Sequence, residues 1–188
     1  MSDYLREIKR LLSNNSHLAN YTTNYAHIRE GSTMYRKILI TTDGSAVSKQ
    51  TACAGIQFAA QLQAEVLALY VAPAYQYPVY VEIIPPSYPS EEEYAAQMTR
   101  IGTDHLATLL QAAEKAGLRH QGMTAFADGA ALKIVDVAEQ TGCDLSFMGS
   151  HVRSGWGQLL LGSVTHKVLS HTSKPVLVHR LIKEPPAQ

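Results

Sequence analysis

The chain has 188 residues, 46% of them hydrophobic, enough for one α/β core and too few for two ordinary domains. Lys plus Arg and Asp plus Glu both total 16, so charge gives no reason to expect nucleic acid or an acidic surface as partner; a small molecule or a protein is favoured. Cys53 and Cys143 lie far apart with no CxxC or Cys/His cluster, so neither a disulfide framework nor a zinc site is indicated.

Residues 1–33 are polar, with "SNNSH" and "NYTTNY" breaking a short amphipathic stretch at Leu5, Ile8, Leu11 and Leu12. They lack the apolar stretch of a signal peptide, and no run in the chain approaches the roughly 20 residues that span a bilayer. A cytoplasmic protein with no membrane partner is expected. The character changes at "KILITTD", Lys37 to Asp43, an apolar run ending in turn residues, as for a strand buried on both faces. Ala52, Ile56 and Ala59 then repeat at helical spacing, and "EVLALYVA", Glu65 to Ala72, reads as a second buried strand. Pro73 to Ser90 holds five prolines and four tyrosines, aromatics suited to covering a site or a partner. Ser90 and Glu93 fit a capping box, opening a long helix that Tyr94, Met98, Ile101 and His105 face on one side and that ends near Gly117.

A third strand is expected at "GMTAFA", Gly122 to Ala127, then a helix through Ile134, Val135 and Ala138 closed by Gly142. "DLSFMG", Asp144 to Gly149, reads as the fourth strand. A last helix through Val164, Val168 and Leu169 stops at Pro175 before the strand "VLVH", Val176 to His179. Strands alternating with helices in this way predict one open, mostly parallel sheet with helices on both faces. Ligands of such sheets bind beyond the carboxyl ends of the strands, where strand order reverses.

At the fourth strand end this geometry suits a phosphate. Gly149 lets backbone approach a ligand, and Gly162 and Ser163 open a helix whose free N–H groups and dipole favour an anion. A strand-ending glycine and a capping serine give the same local sequence without a ligand. The wider pattern is more specific: Gly149, a position three later, then "GS" at Gly162 and Ser163 after nine intervening residues. Together with "ILITTDGS", "DGAALKIVDVAEQTGCDLSFMGSH" and "LLLGSVTHKVL…SKPVLVHR", this resembles the nucleotide-binding branch of the universal stress protein family over residues 35 to 180.

The resemblance implies a five-stranded parallel sheet of order 3-2-1-4-5, of the adenine-nucleotide alpha-hydrolase type, in a homodimer that binds ATP or AMP. It implies a domain over 35–182, an N-terminal extension at 1–34 and a tail at 183–188. Met34 stands where family members commonly begin, so the preface is either an extension or sequence upstream of a second start. Carried over, Asp43 lies near the ribose or a nucleotide-bound Mg, or serves only as a turn residue. Thr41 and Thr42 lie beside the base, and Val71 in the adenine pocket. Gly149, Gly162, Ser163 and Val164 line the phosphates, and Met148 leads into them. The sequence departs from the pattern at Val152, where the second glycine belongs; a β-branched residue there disfavours positive φ and close approach, which Arg153 and Ser154 offset with a charge and a hydroxyl.

A regulatory, nucleotide-binding stress protein is therefore the first expectation. A stress-response dimer acting through protein contacts alone is the second, and slow ATP hydrolysis the third. No catalytic set is expected: His166 and His171 are spaced i, i+5, His151 reads as a polar loop residue, and the GxxxxGK[ST] loop is absent.

Overall fold

The computed structural model describes residues 34–77, 88–150 and 161–180. Its elements follow the expected alternation: β1 (Lys37–Thr42), α1 (Ala46–Leu62), β2 (Glu65–Ala72), α2 (Glu91–Lys115), β3 (His120–Phe126), α3 (Ala130–Gln140), β4 (Leu145–Ser150), α4 (Ser163–His171) and β5 (Val176–Arg180). The strands form one five-stranded sheet in the order β3-β2-β1-β4-β5. All neighbours are parallel. Connections run outward to one side through β2 and β3, then to the other through β4 and β5, so the order reverses between β1 and β4.

Side chains alternate across each strand, and the central strands bury both faces. Ile38, Ile40, Val66, Ala68 and Phe147 point to one side, where they pack with Ala52, Ile56 and Ala59 of α1 and Leu106 and Leu109 of α2. Leu39, Leu67, Leu69 and Met148 point to the other, against Ile134, Val135 and Ala138 of α3 and Val168 of α4. Each fully buried aliphatic side chain of this kind contributes about 1.5–3 kcal/mol of transfer free energy.

Polar groups at the other end of the sheet fix the register. The Asp144 carboxylate accepts from the backbone N–H groups of Arg36 (2.9 Å) and Lys37 (3.1 Å), tying the entry of β4 to the entry of β1. Lys174 donates to the carbonyls of Ala138 (3.3 Å) and Cys143 (2.5 Å), so a cation sits on the last turn of α3, where the helix dipole favours it.

Three sequence expectations shift. β3 starts at His120, because pairing of Val66 with His120 and Leu67 with Gln121 extends an edge strand into polar residues. The deepest stripe of α2 is Gly102, Leu106, Leu109 and Ala113. Tyr94, Met98, Ile101 and His105 flank it, only partly buried. On α4 the buried residues are Thr165 and Val168, whereas Val164 and Leu169 are 39% and 40% exposed, so two of the three apolar residues that marked this helix face outward.

Candidate functional site

The β1–α1 turn is built from hydroxyl groups. Thr42 faces α1, and its Oγ1 meets Ser48 Oγ at 2.8 Å. Ser48 Oγ also accepts from the Asp43 N–H at 3.0 Å, and Thr42 Oγ1 from the Gly44 N–H at 3.1 Å. Asp43 Oδ1 accepts from the Ser45 N–H at 2.9 Å, closing an Asx turn, while Ser45 Oγ caps α1 through the Ser48 N–H at 3.1 Å. Gly44 turns the chain at φ 81, a left-handed conformation that glycine adopts without strain. Asp43 therefore has the turn role and remains exposed at the end of β1.

Across the switch point, β4 ends at Gly149 and Ser150. A Cβ on Gly149 would meet Thr51 of α1 at 3.1–3.3 Å, so the glycine admits α1 close to β4. Its carbonyl accepts from Thr165 Oγ1 of α4 at 3.1 Å, and Ser150 Oγ accepts from the Gly162 N–H at 3.4 Å. These two bonds hold the start of α4 beside the end of β4. Gly162 is the N-cap of α4, supplies no side-chain cap, and no acid lies in the first turn. The start of α3 at Gly129 shares all three features. Two helix N-termini thus offer backbone N–H donors and positive dipole ends at one edge of the sheet. Between α3 and α4 runs an open cavity of about 360 Å³ bordered by Gly129, Ala130, Leu132, Ser163, Val164 and Lys167.

The expected site residues divide by face. Val71 and Met148 belong to the core beneath α3 and α4, with Met148 3% exposed, and Thr41 shares that side by strand alternation. Gly162, Ser163 and Val164 start α4 on the same side. Thr42 turns the opposite way, so its hydroxyl supports the turn, and the structure does not bring it beside Thr41. Val152, Arg153, Ser154 and His151 lie outside the described residues. Ser48, Thr51, Ser150 and Thr165 brace these strand ends and were missed by motif reading. All are buried hydroxyl residues; a serine or threonine on the apolar face of a helix is the signal that would have found Ser48, Thr51 and Thr165, whereas Ser150 ends β4.

The aromatic segment is organised around its own stems. Tyr75 donates to the Pro89 carbonyl (2.9 Å), Tyr88 to Gln76 (2.7 Å) and Tyr94 to Pro73 (3.1 Å). The Tyr75 ring packs on those of Tyr77, Tyr88 and Tyr94. Desolvation, then the neighbouring phenols Tyr88 and Tyr77, push the Tyr75 hydroxyl above its ordinary pKa. Gln76 reaches Asp128 in the loop before α3 (2.9 Å), tying this knot to the carboxyl edge. Residues 78–87, Tyr80 among them, lie outside the described residues. Among the described residues no three His, Cys, Asp or Glu side chains gather as metal ligands, and no helix is long and apolar enough to cross a membrane.

An open parallel sheet reversing at β1 and β4, with a hydroxyl-built turn on one side of the crevice and an uncapped helix start on the other, defines a doubly wound α/β protein with an anion-favouring switch point. Residues 34–180 match the model of the Universal stress protein family, and the chain belongs to that family. It is 34% identical over 163 residues to Universal stress protein MJ0531 of Methanocaldococcus jannaschii, covering 84% of this chain and 88% of the relative. The solved structure of MJ0577, whose biochemical function was assigned from structure, superposes with a TM-score of 0.63 at 27% identity, covering 80% of this chain and 99% of that one. A universal stress protein solved in complex with cAMP shares the fold at a TM-score of 0.54 and 21% identity, over 78% and 97% of the two chains.

Proposed function

We propose that this universal stress protein binds an adenine nucleotide, ATP or AMP, across the β1–β4 crevice in a regulatory role. The observation that carries the reading is the convergence of the Asp43 turn and Gly149 with the uncapped start of α4 at Gly162 and Ser163, on adjacent parallel strands. The binding of cAMP by a protein of the same fold supports the choice of adenine. In this reading Thr41 and Val71 border the base, and Met148 is the last core residue of β4 before the chain reaches the phosphates at Gly149. Asp43 addresses the ribose or a phosphate-bound Mg, and the N–H groups of Ser163 and Val164 with the Ser163 hydroxyl hold phosphate. Asp43 is the residue that would hold a phosphate-bound Mg, which would supply positive charge against the phosphates. The Thr42–Ser48 and Thr165–Gly149 bonds preorganise the two walls.

Calorimetric titration with ATP and with AMP, with and without Mg, tests the proposal. Saturable heat that Asp43→Ala diminishes is expected. Absence of heat and of thermal shift at millimolar nucleotide would contradict it and favour action through protein contacts. Val152→Gly is expected to tighten binding by restoring the missing glycine.

A further inference from the structure

The β1–α1 turn has a second support that its own residues do not supply. Gly102 brings α2 against β3 so closely that a Cβ there would run into the side chain of Thr124. One turn later on α2, His105 lies edge-on to Tyr70 of β2, with ring centroids 5.0 Å apart and planes at 71°. Tyr70 is the register partner of Thr42, so this pair stands directly beside the end of β1. A Cβ built on Gly44 would collide with the His105 ring, standing 2.5 Å from both Cδ2 and Cε1 and touching Nε2 as well. Near-equal approach to three ring atoms means that Gly44 lies on the face of the imidazole. The glycine is thus required twice, for its φ of 81 and for the ring that occupies its side-chain space.

We propose that His105 is a positioning residue: its ring face fixes the Asp43–Gly44–Ser45 turn and, through the turn, the affinity of the nucleotide site. The ligand half rests on the nucleotide reading above, whereas the contact with the turn does not. The ring limits how far Gly44 can swing toward α2. It thereby holds Asp43 and Ser45 in the arrangement in which the carboxylate accepts from the Ser45 N–H and the Gly44 N–H donates to Thr42. Flat surface is what the contact uses, so another aromatic ring substitutes for imidazole and a small side chain does not.

The test uses the full chain, with amide hydrogen exchange at Gly44 and Ser45 and calorimetric titration with AMP as separate readouts. His105→Ala is expected to speed exchange at these two amides and weaken AMP binding, each by about tenfold, while His105→Phe stays within about threefold of the parent. Gly44→Ala is expected to do less harm in the His105→Ala background than in the parent, because the added methyl then has room. Should His105→Ala not fold, His105→Leu, which keeps volume without a flat face, takes its place. Unchanged exchange in His105→Ala, or a Phe variant as impaired as the Ala variant, overturns the proposal. Faster exchange with unchanged AMP affinity overturns the link to the ligand. A parent chain that takes up no AMP refutes the nucleotide reading, and exchange at Gly44 and Ser45 then decides the positioning role alone.

Discussion

Thr42 closes the β1–α1 turn with one hydroxyl that meets Ser48 and accepts from Gly44, and it is 6% exposed. Thr42→Val keeps the shape and removes the hydroxyl, leaving the part-buried Gly44 N–H without its acceptor and the Ser48 hydroxyl without this partner. A loss of about 1–3 kcal/mol is expected in urea unfolding; an unmoved midpoint would show that water replaces the hydroxyl there. The two cysteines should also behave differently. Cys143 is fully buried, and burial pushes its thiol above the ordinary pKa, whereas Cys53 is partly exposed. Alkylation of the folded protein near neutral pH should label Cys53 while Cys143 reacts only on unfolding. Equal labelling rates would mean that the end of α3 opens readily.

At the scale of elements, the Ser90 and Glu93 box caps α2 from both sides, with Ser90 Oγ accepting from the Glu93 N–H and Glu93 from the Ser90 N–H. Ser90→Ala is expected to cost about 1 kcal/mol, read as a lower unfolding midpoint; no change would indicate that α2 is held by packing alone. This cap was legible in sequence because its parts lie three residues apart, as were β1 and β2, whose unbroken apolar runs have no reading but burial. The start of β3 was not legible, since His120 and Gln121 carry no strand pattern and pair only because β2 lies beside them. Nor was the outward turn of Val164 and Leu169, which depends on where α4 sits against β4. For the candidate site, the glycine and serine spacing drew attention to the end of β4 and the start of α4, which the fold sets side by side. The facing of Thr42 toward Ser48 needed the sheet, and the meeting of His105 with Gly44 links residues on elements that local pattern cannot connect.

For the whole molecule, β5 ends the sheet, and Val176 to His179 are half-buried along an edge that pairs with β4 on one side. We propose that this edge forms a homodimer, since a short apolar edge strand with no neighbour on its far side among the described residues invites a symmetric partner. Light scattering at micromolar concentration should give twice the monomer mass, and Leu177→Pro should reduce it to the monomer; a parent chain that stays monomeric would contradict the assignment. Dimerisation, however, leaves the central claim untouched, because the ends of β1 and β4 and the start of α4 belong to one chain. That claim is tested most directly by titrating AMP into isotopically labelled protein and following assigned backbone amides. Saturable shifts centred on Asp43 to Ser45, Gly149 and Gly162 to Val164 are predicted; no shift at millimolar AMP, or shifts confined to the β3 edge, would contradict the account.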